Sequence, residues 1–159
     1  MRVEQTGSFV WNMTTWGHRD AINITYEQFT YGVDEFVKAG LTKIPSTNFK
    51  HVVPMVEESP IRFECTYHST LRLPGNPPMG TVDIIIGKVV GVHISDKILT
   101  DGLIDLSKVQ PIARCGYYSY AVVRETFEMQ PPLGKMSYGL EGNAAKNANE
   151  HREQMKTEN

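Results

Sequence analysis

The sequence contains little cysteine and no excess of charge of either sign. Its 159 residues include two cysteines, Cys65 and Cys115, and 16 Lys and Arg against 18 Asp and Glu. Two widely separated cysteines do not form the disulfide framework of a small secreted domain, so we expect free thiols and a cytoplasmic location. The near balance of charge gives no basic footprint, and we therefore expect no nucleic-acid partner.

The chain also lacks the sequence signals of membrane insertion and of several common catalytic sites. No run approaches 18 apolar residues and the N-terminus has no apolar h-region, so no membrane span or signal peptide is predicted. The motifs GxGxxG, GxxxxGK[ST], GxSxG and HExxH do not occur. Cys65 and His68 are three residues apart, which on a strand directs them to opposite faces, so no metal site is predicted.

The strongest structural signal covers residues 61 to 94. The segment IRFECTYHSTLRL alternates apolar odd positions with polar even ones, which predicts a strand with one solvent-facing side. The turn-rich PGNPPMG and the β-rich TVDIIIGKVVGVHI follow, so we expect an antiparallel hairpin with an extended loop. Gly87, Gly91 and His93 occupy odd positions of the second strand. Two missing side chains on one face predict a trough that leads to the imidazole, in which a flat ligand could lie.

The remaining segments predict further strands and short helices. We expect a strand over 8–13, a helix within 16–26, a capped helix near 33–37 that ends at Gly40, and an ordered surface connector over 41–60. A turn is expected at Thr100-Asp101-Gly102, followed by the β-rich ARCGYYSYAVV. Together they predict a β-rich α+β domain over residues 1–125, with the sheet curled into a barrel. Residues 126–159 are interpreted as an extension with a polar tail, frayed or helical.

Several residues are candidates for a site, each with a structural alternative. His93 is a candidate proton donor or ligand hydrogen-bond partner, or a half-buried strand histidine. Arg114, beside Gly116, could hold a phosphate or carboxylate, or form a surface ion pair. Tyr120 and its neighbouring tyrosines could stack on a planar cofactor or pack inside the barrel.

The order and spacing of several segments resemble the flavin reductase-like family with the FMN-binding split β-barrel. The resemblance covers about residues 3 to 120 and is carried by VDEFVKAGLT, Pro45-Ser46, VVPMVEESPIRFEC, IIGKVVGVHI, DGLIDL and PIARCGYYSY. It implies a homodimeric split barrel, here lacking the family's first strands, that binds FMN and uses it for hydride transfer from NAD(P)H. By the same resemblance His93 lies near the flavin and nicotinamide. Arg114, Gly116 and Tyr120 match the motif close to the cofactor and the dimer interface.

Two functions therefore stand as hypotheses. The first is an NAD(P)H-dependent flavin reductase-like oxidoreductase with His93 as the catalytic residue and Arg114, Gly116, Tyr120, Gly87 and Gly91 at the cofactor. The alternative is a non-catalytic barrel fragment that serves as a dimerisation or binding module. The family's Arg-x-Gly-Gly-x-x-Tyr motif has Tyr117 in place of its second glycine here, which changes how closely backbone and ligand approach.

Overall fold

The computed structural model describes residues 3–78, 80–127 and 129. The chain divides into two compact units, Met1–Thr126 and Phe127–Asn159. The architecture below is that of the first unit. The predicted polar tail lies outside the described residues, as does nearly all of the predicted extension.

The first unit is rich in strands, with short helices mostly in its first half. The helices are α1 (Val3–Thr6), α2 (Arg19–Thr25), α3 (Glu35–Ala39) and α4 (Leu106–Val109), with 3-10 turns at Trp16–His18 and Asp96–Ile98. The strands are β1 (Ser8–Asn12), β2 (Lys43–Pro45), β3 (Pro54–Val56), β4 (Ile61–Leu73), β5 (Val82–Ile94), β6 (Leu99–Thr100), β7 (Leu103–Ile104), β8 (Ile112–Gly116) and β9 (Ser119–Val122). Among the described residues, no helix is long and apolar enough to cross a membrane.

The predicted hairpin is confirmed as β4 and β5, which pair antiparallel over 13 residues each. Strand β1 pairs with the other side of β4, so the sheet has the order β1-β4-β5. A core forms at the base of the hairpin, where buried Ile61 contacts Ile98 and Val109, and Met13 and Phe63 pack against them. The hairpin therefore forms the frame from which the candidate site is built.

The predicted helix ends and turns are confirmed by their local geometry. The Asp34 side chain accepts a hydrogen bond from the Phe36 amide at the start of α3, and Gly40 ends the helix in the left-handed conformation. Asp101 and Gly102 both have positive φ between β6 and β7. This is the geometry of a tight two-residue hairpin turn.

The prediction of a plain surface connector over residues 41–60 is wrong in part. Strands β2 and β3 pair antiparallel within it, and Met55 is buried. The connector then reaches back to the sheet, because the Thr47 and Asn48 amides donate hydrogen bonds to the Glu64 side chain on β4. This long-range contact, rather than any local periodicity, orders the segment.

Candidate functional site

A buried carboxylate and a histidine form the most tightly connected polar cluster near the sheet. Glu64 on β4 is completely buried, and its Oε1 accepts a hydrogen bond of 2.7 Å from Nε2 of His93 on β5. Thr47 donates to the same oxygen through its amide at 2.9 Å and its hydroxyl at 3.0 Å, and the Asn48 amide donates to Oε2 at 2.8 Å. We call Thr47, Asn48, Glu64 and His93 the carboxylate clasp.

The electrostatics of the clasp favour an ionised Glu64. Burial by itself raises the pKa of this carboxyl, but the hydrogen bonds from Thr47, Asn48 and His93 outweigh it and lower the pKa from 4.5 to about 2. A carboxylate can only accept hydrogen bonds, so His93 donates through Nε2. The His93 side chain remains 24% exposed, and its ring is therefore accessible from solvent.

The prediction that Glu64 lies on a solvent-facing side of its strand is wrong, because the connector covers it and the Thr47 and Asn48 amides donate hydrogen bonds to its carboxylate. Pairing passes from Glu64 opposite Gly91 to Cys65 opposite Val89, which leaves Val90 as an extra residue on β5. Such a bulge breaks the alternation of faces along β5. The alternation along β4 at Glu64 is unchanged, so Glu64 owes its burial to the connector.

The same bulge shows that the predicted glycine trough is wrong. Gly87 pairs with Tyr67 and Gly91 with Glu64, and these two β4 residues are three apart, so the glycines lie on opposite faces. A Cβ atom at Gly87 would lie 2.6 Å from the Phe9 ring, and one at Gly91 would overlap the Asn48 amide group. Each glycine thus makes room for a side chain of this chain. Only Gly91 lies on the face of His93, and flavin contact by either glycine stays a prediction.

Arg114, Gly116 and Tyr120 come together on the β8–β9 hairpin, where Arg114 pairs across the strands with Tyr120. The Arg114 guanidinium lies 4.5 Å above the Tyr26 ring and donates a hydrogen bond to the Tyr117 carbonyl. The β-rich segment ARCGYYSYAVV is not one continuous strand: the chain turns after Gly116, between β8 and β9. Tyr117 there has a φ of 45° and its side chain is 91% exposed.

A cavity of about 280 Å³ lies between this hairpin and the helical segment 16–25. Its walls include Trp16, Arg19, Tyr118 and Tyr120. Arginines stack on the Trp16 ring, with Arg19 at 4.5 Å and Arg124 at 5.3 Å. We call the lining residues Trp16, Arg19, Tyr118 and Tyr120 the arginine–aromatic pocket; Arg124 contacts the Trp16 ring but does not line the cavity. The pocket offers flat rings beside the Arg19 guanidinium, which forms an exposed ion pair of 3.5 Å with Asp20 on the same wall.

The predicted site residues therefore fall into two places. His93 and Gly91 belong to the sheet and the carboxylate clasp, whereas Arg114, Gly116 and Tyr120 belong to the β8–β9 hairpin. No hydrogen bond or ring contact joins the two groups within the described part of the chain. A ligand contacting both would have to lie across them.

The sequence did not identify Glu64, Thr47 and Asn48 as members of the carboxylate clasp. It also did not identify Trp16, Arg19 and Arg124 beside the β8–β9 hairpin. The clasp has no local signal, because Glu64 lies 16 positions from Asn48, 17 from Thr47 and 29 from His93 in the sequence. Trp16 and Arg19 are different: an aromatic residue and an arginine three positions apart are neighbours on a helical surface. That spacing could have identified one side of the pocket.

Comparison with known proteins identifies one family for this chain. Residues 2–112 match the family described as the flavin reductase like domain. An uncharacterized protein of Halalkalibacterium halodurans is 30% identical over 129 residues, which cover 81% of this chain and 61% of that protein. The chain thus spans less than two thirds of that relative.

Solved structures agree with the fold. Nitrilotriacetate monooxygenase component B from Bacillus cereus superposes with a TM-score of 0.71 at 31% identity, covering 80% of this chain and 62% of that one. A flavin reductase described as putative, with a split barrel domain, from Shewanella frigidimarina has a TM-score of 0.66 at 25% identity, covering 82% and 63%. The predicted split-barrel architecture is confirmed by these similarities.

Proposed function

Because the chain belongs to the flavin reductase-like family, we propose that it binds FMN and takes part in electron transfer from NADH or NADPH to that flavin. Nitrilotriacetate monooxygenase component B and the flavin reductase from Shewanella are similar to it at 31% and 25% identity, which supports a flavin-linked role. The observation that carries the proposal within the chain itself is the arginine–aromatic pocket.

The pocket residues fit the chemistry of FMN. Aromatic rings stack on planar heterocycles, and guanidinium groups bind phosphate through paired hydrogen bonds. The 280 Å³ cavity is close to the lower limit of about 300 Å³ for small-molecule sites, which gives room for one part of the cofactor, its ring system or its phosphate. Tyr120 and Arg114, paired across β8 and β9, are the residues we assign to flavin contact.

The chain's own groups would bind and orient, while the cofactor supplies the redox chemistry. When bound, FMN would supply the redox chemistry, as the acceptor of a hydride, two electrons with one proton, from NADH or NADPH. The arginines would neutralise phosphate charge, and Tyr120 would pack against a flat ring. His93, partly exposed and held through Nε2, would form a hydrogen bond to flavin or nicotinamide through its other nitrogen.

Titration with FMN tests this function. We expect the 159-residue chain to bind FMN with quenching of flavin fluorescence, and Tyr120→Ala to weaken binding about tenfold, because one stacking contact is worth roughly 1–3 kcal/mol. Tyr31→Ala is the matched control, since Tyr31 is fully exposed and is not part of the pocket wall. Absence of FMN uptake by the unaltered chain, or equal effects of the two substitutions, would contradict the proposal.

The same preparation separates an oxidoreductase from the alternative of a non-catalytic dimerisation or binding module. With FMN present, an oxidoreductase oxidises NADH or NADPH, followed by loss of nicotinamide absorbance, and His93→Ala slows this reaction. With a binding module, the nicotinamide is oxidised no faster than by free flavin alone. The comparison of NADH with NADPH in this assay also identifies the preferred donor.

We further propose a homodimer, which would cover the outer edge of β5. Among the described residues no strand pairs with that edge, and Ile84, Ile86 and Val92 on β5 are about half exposed. An exposed apolar edge strand pairs readily with another chain. We expect sedimentation to give twice the 17.9 kDa chain mass and Ile84→Lys to shift it to the monomer, while Val52→Lys, outside the sheet, does not. A monomer or larger aggregates at all concentrations would contradict the dimer.

The free thiols support a cytoplasmic location as part of this proposal. Cys65 is buried and Cys115 is exposed, and neither is in a disulfide. Burial raises the pKa of the Cys65 thiol, which makes it unreactive. An exposed free cysteine such as Cys115 is typical of a reducing compartment.

A further inference from the structure

We propose that Glu64 is a positioning residue that holds His93 in the tautomer protonated on Nε2 and so presents Nδ1 to a ligand as a hydrogen-bond acceptor. Glu64 touches neither solvent nor the arginine–aromatic pocket, and among the described residues its side-chain hydrogen bonds are all within the carboxylate clasp. It therefore acts through His93 rather than on a bound molecule.

The donors around Glu64 determine where the histidine proton lies. Three groups contact Oε1, namely the Thr47 amide, the Thr47 hydroxyl and His93 Nε2. An amide can only donate, and an ionised carboxylate can only accept, so a neutral His93 satisfies the 2.7 Å contact only with its proton on Nε2. The low pKa of Glu64, about 2, agrees with an ionised carboxylate throughout the neutral range.

The groups packed around His93 leave Nδ1 available. Besides Glu64, Arg62 lies opposite His93 on β4, and its guanidinium donates to the carbonyls of Val56 and Glu57. From the connector, Thr47 and Asn48 are uncharged and donate to Glu64. Among the described residues, Nδ1 of His93 has no hydrogen-bond partner.

The fixed tautomer selects the chemistry of the ligand group. An unprotonated imidazole nitrogen accepts a hydrogen bond from an N–H or O–H group, such as an imide, a carboxamide or a sugar hydroxyl. Flavins and nicotinamides carry such groups, and this consequence rests on the proposed function. The tautomer itself follows from the clasp alone and does not depend on any ligand.

Nitrogen NMR of the ¹⁵N-labelled 159-residue chain tests the inference without flavin. At a pH where imidazoles are neutral, we expect His93 to show a fully protonated Nε2 and an unprotonated Nδ1. His68 is the internal control: it is exposed and no hydrogen bond holds it among the described residues, so its two nitrogens should give averaged signals. Signals are assigned by their loss in His93→Gln and His68→Gln.

Two variants separate positioning from general structural support. Glu64→Gln lets the side-chain amide either donate to or accept from Nε2, so we expect the His93 signals to shift toward the averaged pattern. Thr47→Val removes one hydroxyl donor but keeps the carboxylate, so the His93 pattern should be retained. Averaged signals, or a proton on Nδ1, in the unaltered chain would overturn the inference, and so would an unchanged pattern in Glu64→Gln.

The unaltered spectrum alone decides the outcome if Glu64→Gln does not fold. The failure of this inference is also distinct from failure of the proposed function. An Nε2-protonated His93 in a chain that takes up no FMN would support the positioning role and contradict flavin binding. FMN uptake by a chain with averaged His93 signals would do the reverse.

Discussion

Glu64→Ala is expected to lower the free energy of unfolding by about 3 kcal/mol or more, because each buried donor left without an acceptor costs roughly 1–3 kcal/mol. The substitution leaves the Thr47 and Asn48 amides, and Nε2 of His93, without the acceptor that they share. It also releases the connector from the sheet. Urea unfolding followed by circular dichroism measures the loss.

Glu57→Ala is the matched control for this substitution. Glu57 is an exposed glutamate near the end of the 41–60 connector, and its hydrogen bonds are made by its backbone. A surface substitution of this kind changes stability by no more than about 0.5 kcal/mol. A loss below about 1 kcal/mol for Glu64→Ala would show that the connector is held by other contacts.

Acidification should weaken the folded chain through the same carboxyl. The pKa of Glu64 is about 2 when folded, against an ordinary value of 4.5, so its stabilising contribution is present above about pH 4.5 and is lost as the pH falls toward 2. With about 1.36 kcal/mol for each unit, the contribution is about 3 kcal/mol. We expect the unfolding free energy of the unaltered chain to fall accordingly.

The Glu64→Gln variant isolates this contribution, because the carboxamide that replaces the carboxyl does not titrate. Other carboxyls with lowered pKa, such as Asp34 and Asp105, are common to both proteins. The difference in unfolding free energy between the unaltered chain and Glu64→Gln should therefore narrow by about 3 kcal/mol as the pH falls from roughly 6 to 2. Parallel pH profiles would contradict the assignment, and Glu57→Gln should run parallel to the unaltered chain.

Much of the fold was predictable because its signals are local. The alternation in residues 61–73 and the glycine-rich and proline-rich loop after it indicated the hairpin, and Asp34 and Gly40 marked the ends of α3. These features depend on neighbours within a few positions. Periodicity alone predicted only a sheet curled into a barrel. The resemblance to the flavin reductase-like family identified that barrel as a split barrel.

The site was less predictable because pairing register decides it. Alternation placed Glu64 on a solvent-facing side and Gly87 on the same face as Gly91. The connector covers Glu64 instead, and the single extra residue Val90 puts the two glycines on opposite faces. A glycine such as Gly91 is compatible with a bulge but does not fix where the bulge lies. Glu64 is covered by Thr47 and Asn48, whose backbone amides donate hydrogen bonds to its carboxylate. Nearly all residues have a backbone N–H group, so the residue types do not indicate which amides will bind the carboxylate.

Tyr117 makes the β8–β9 turn less stable than its backbone requires. Its φ of 45° lies in the left-handed region, where a side chain costs roughly 1–2 kcal/mol that a glycine does not lose. The ring is 91% exposed and so recovers little of this by packing. The turn that presents Arg114 and Tyr120 is therefore held in place by its strand pairing and by the Arg114 hydrogen bond rather than by the local preference of Tyr117.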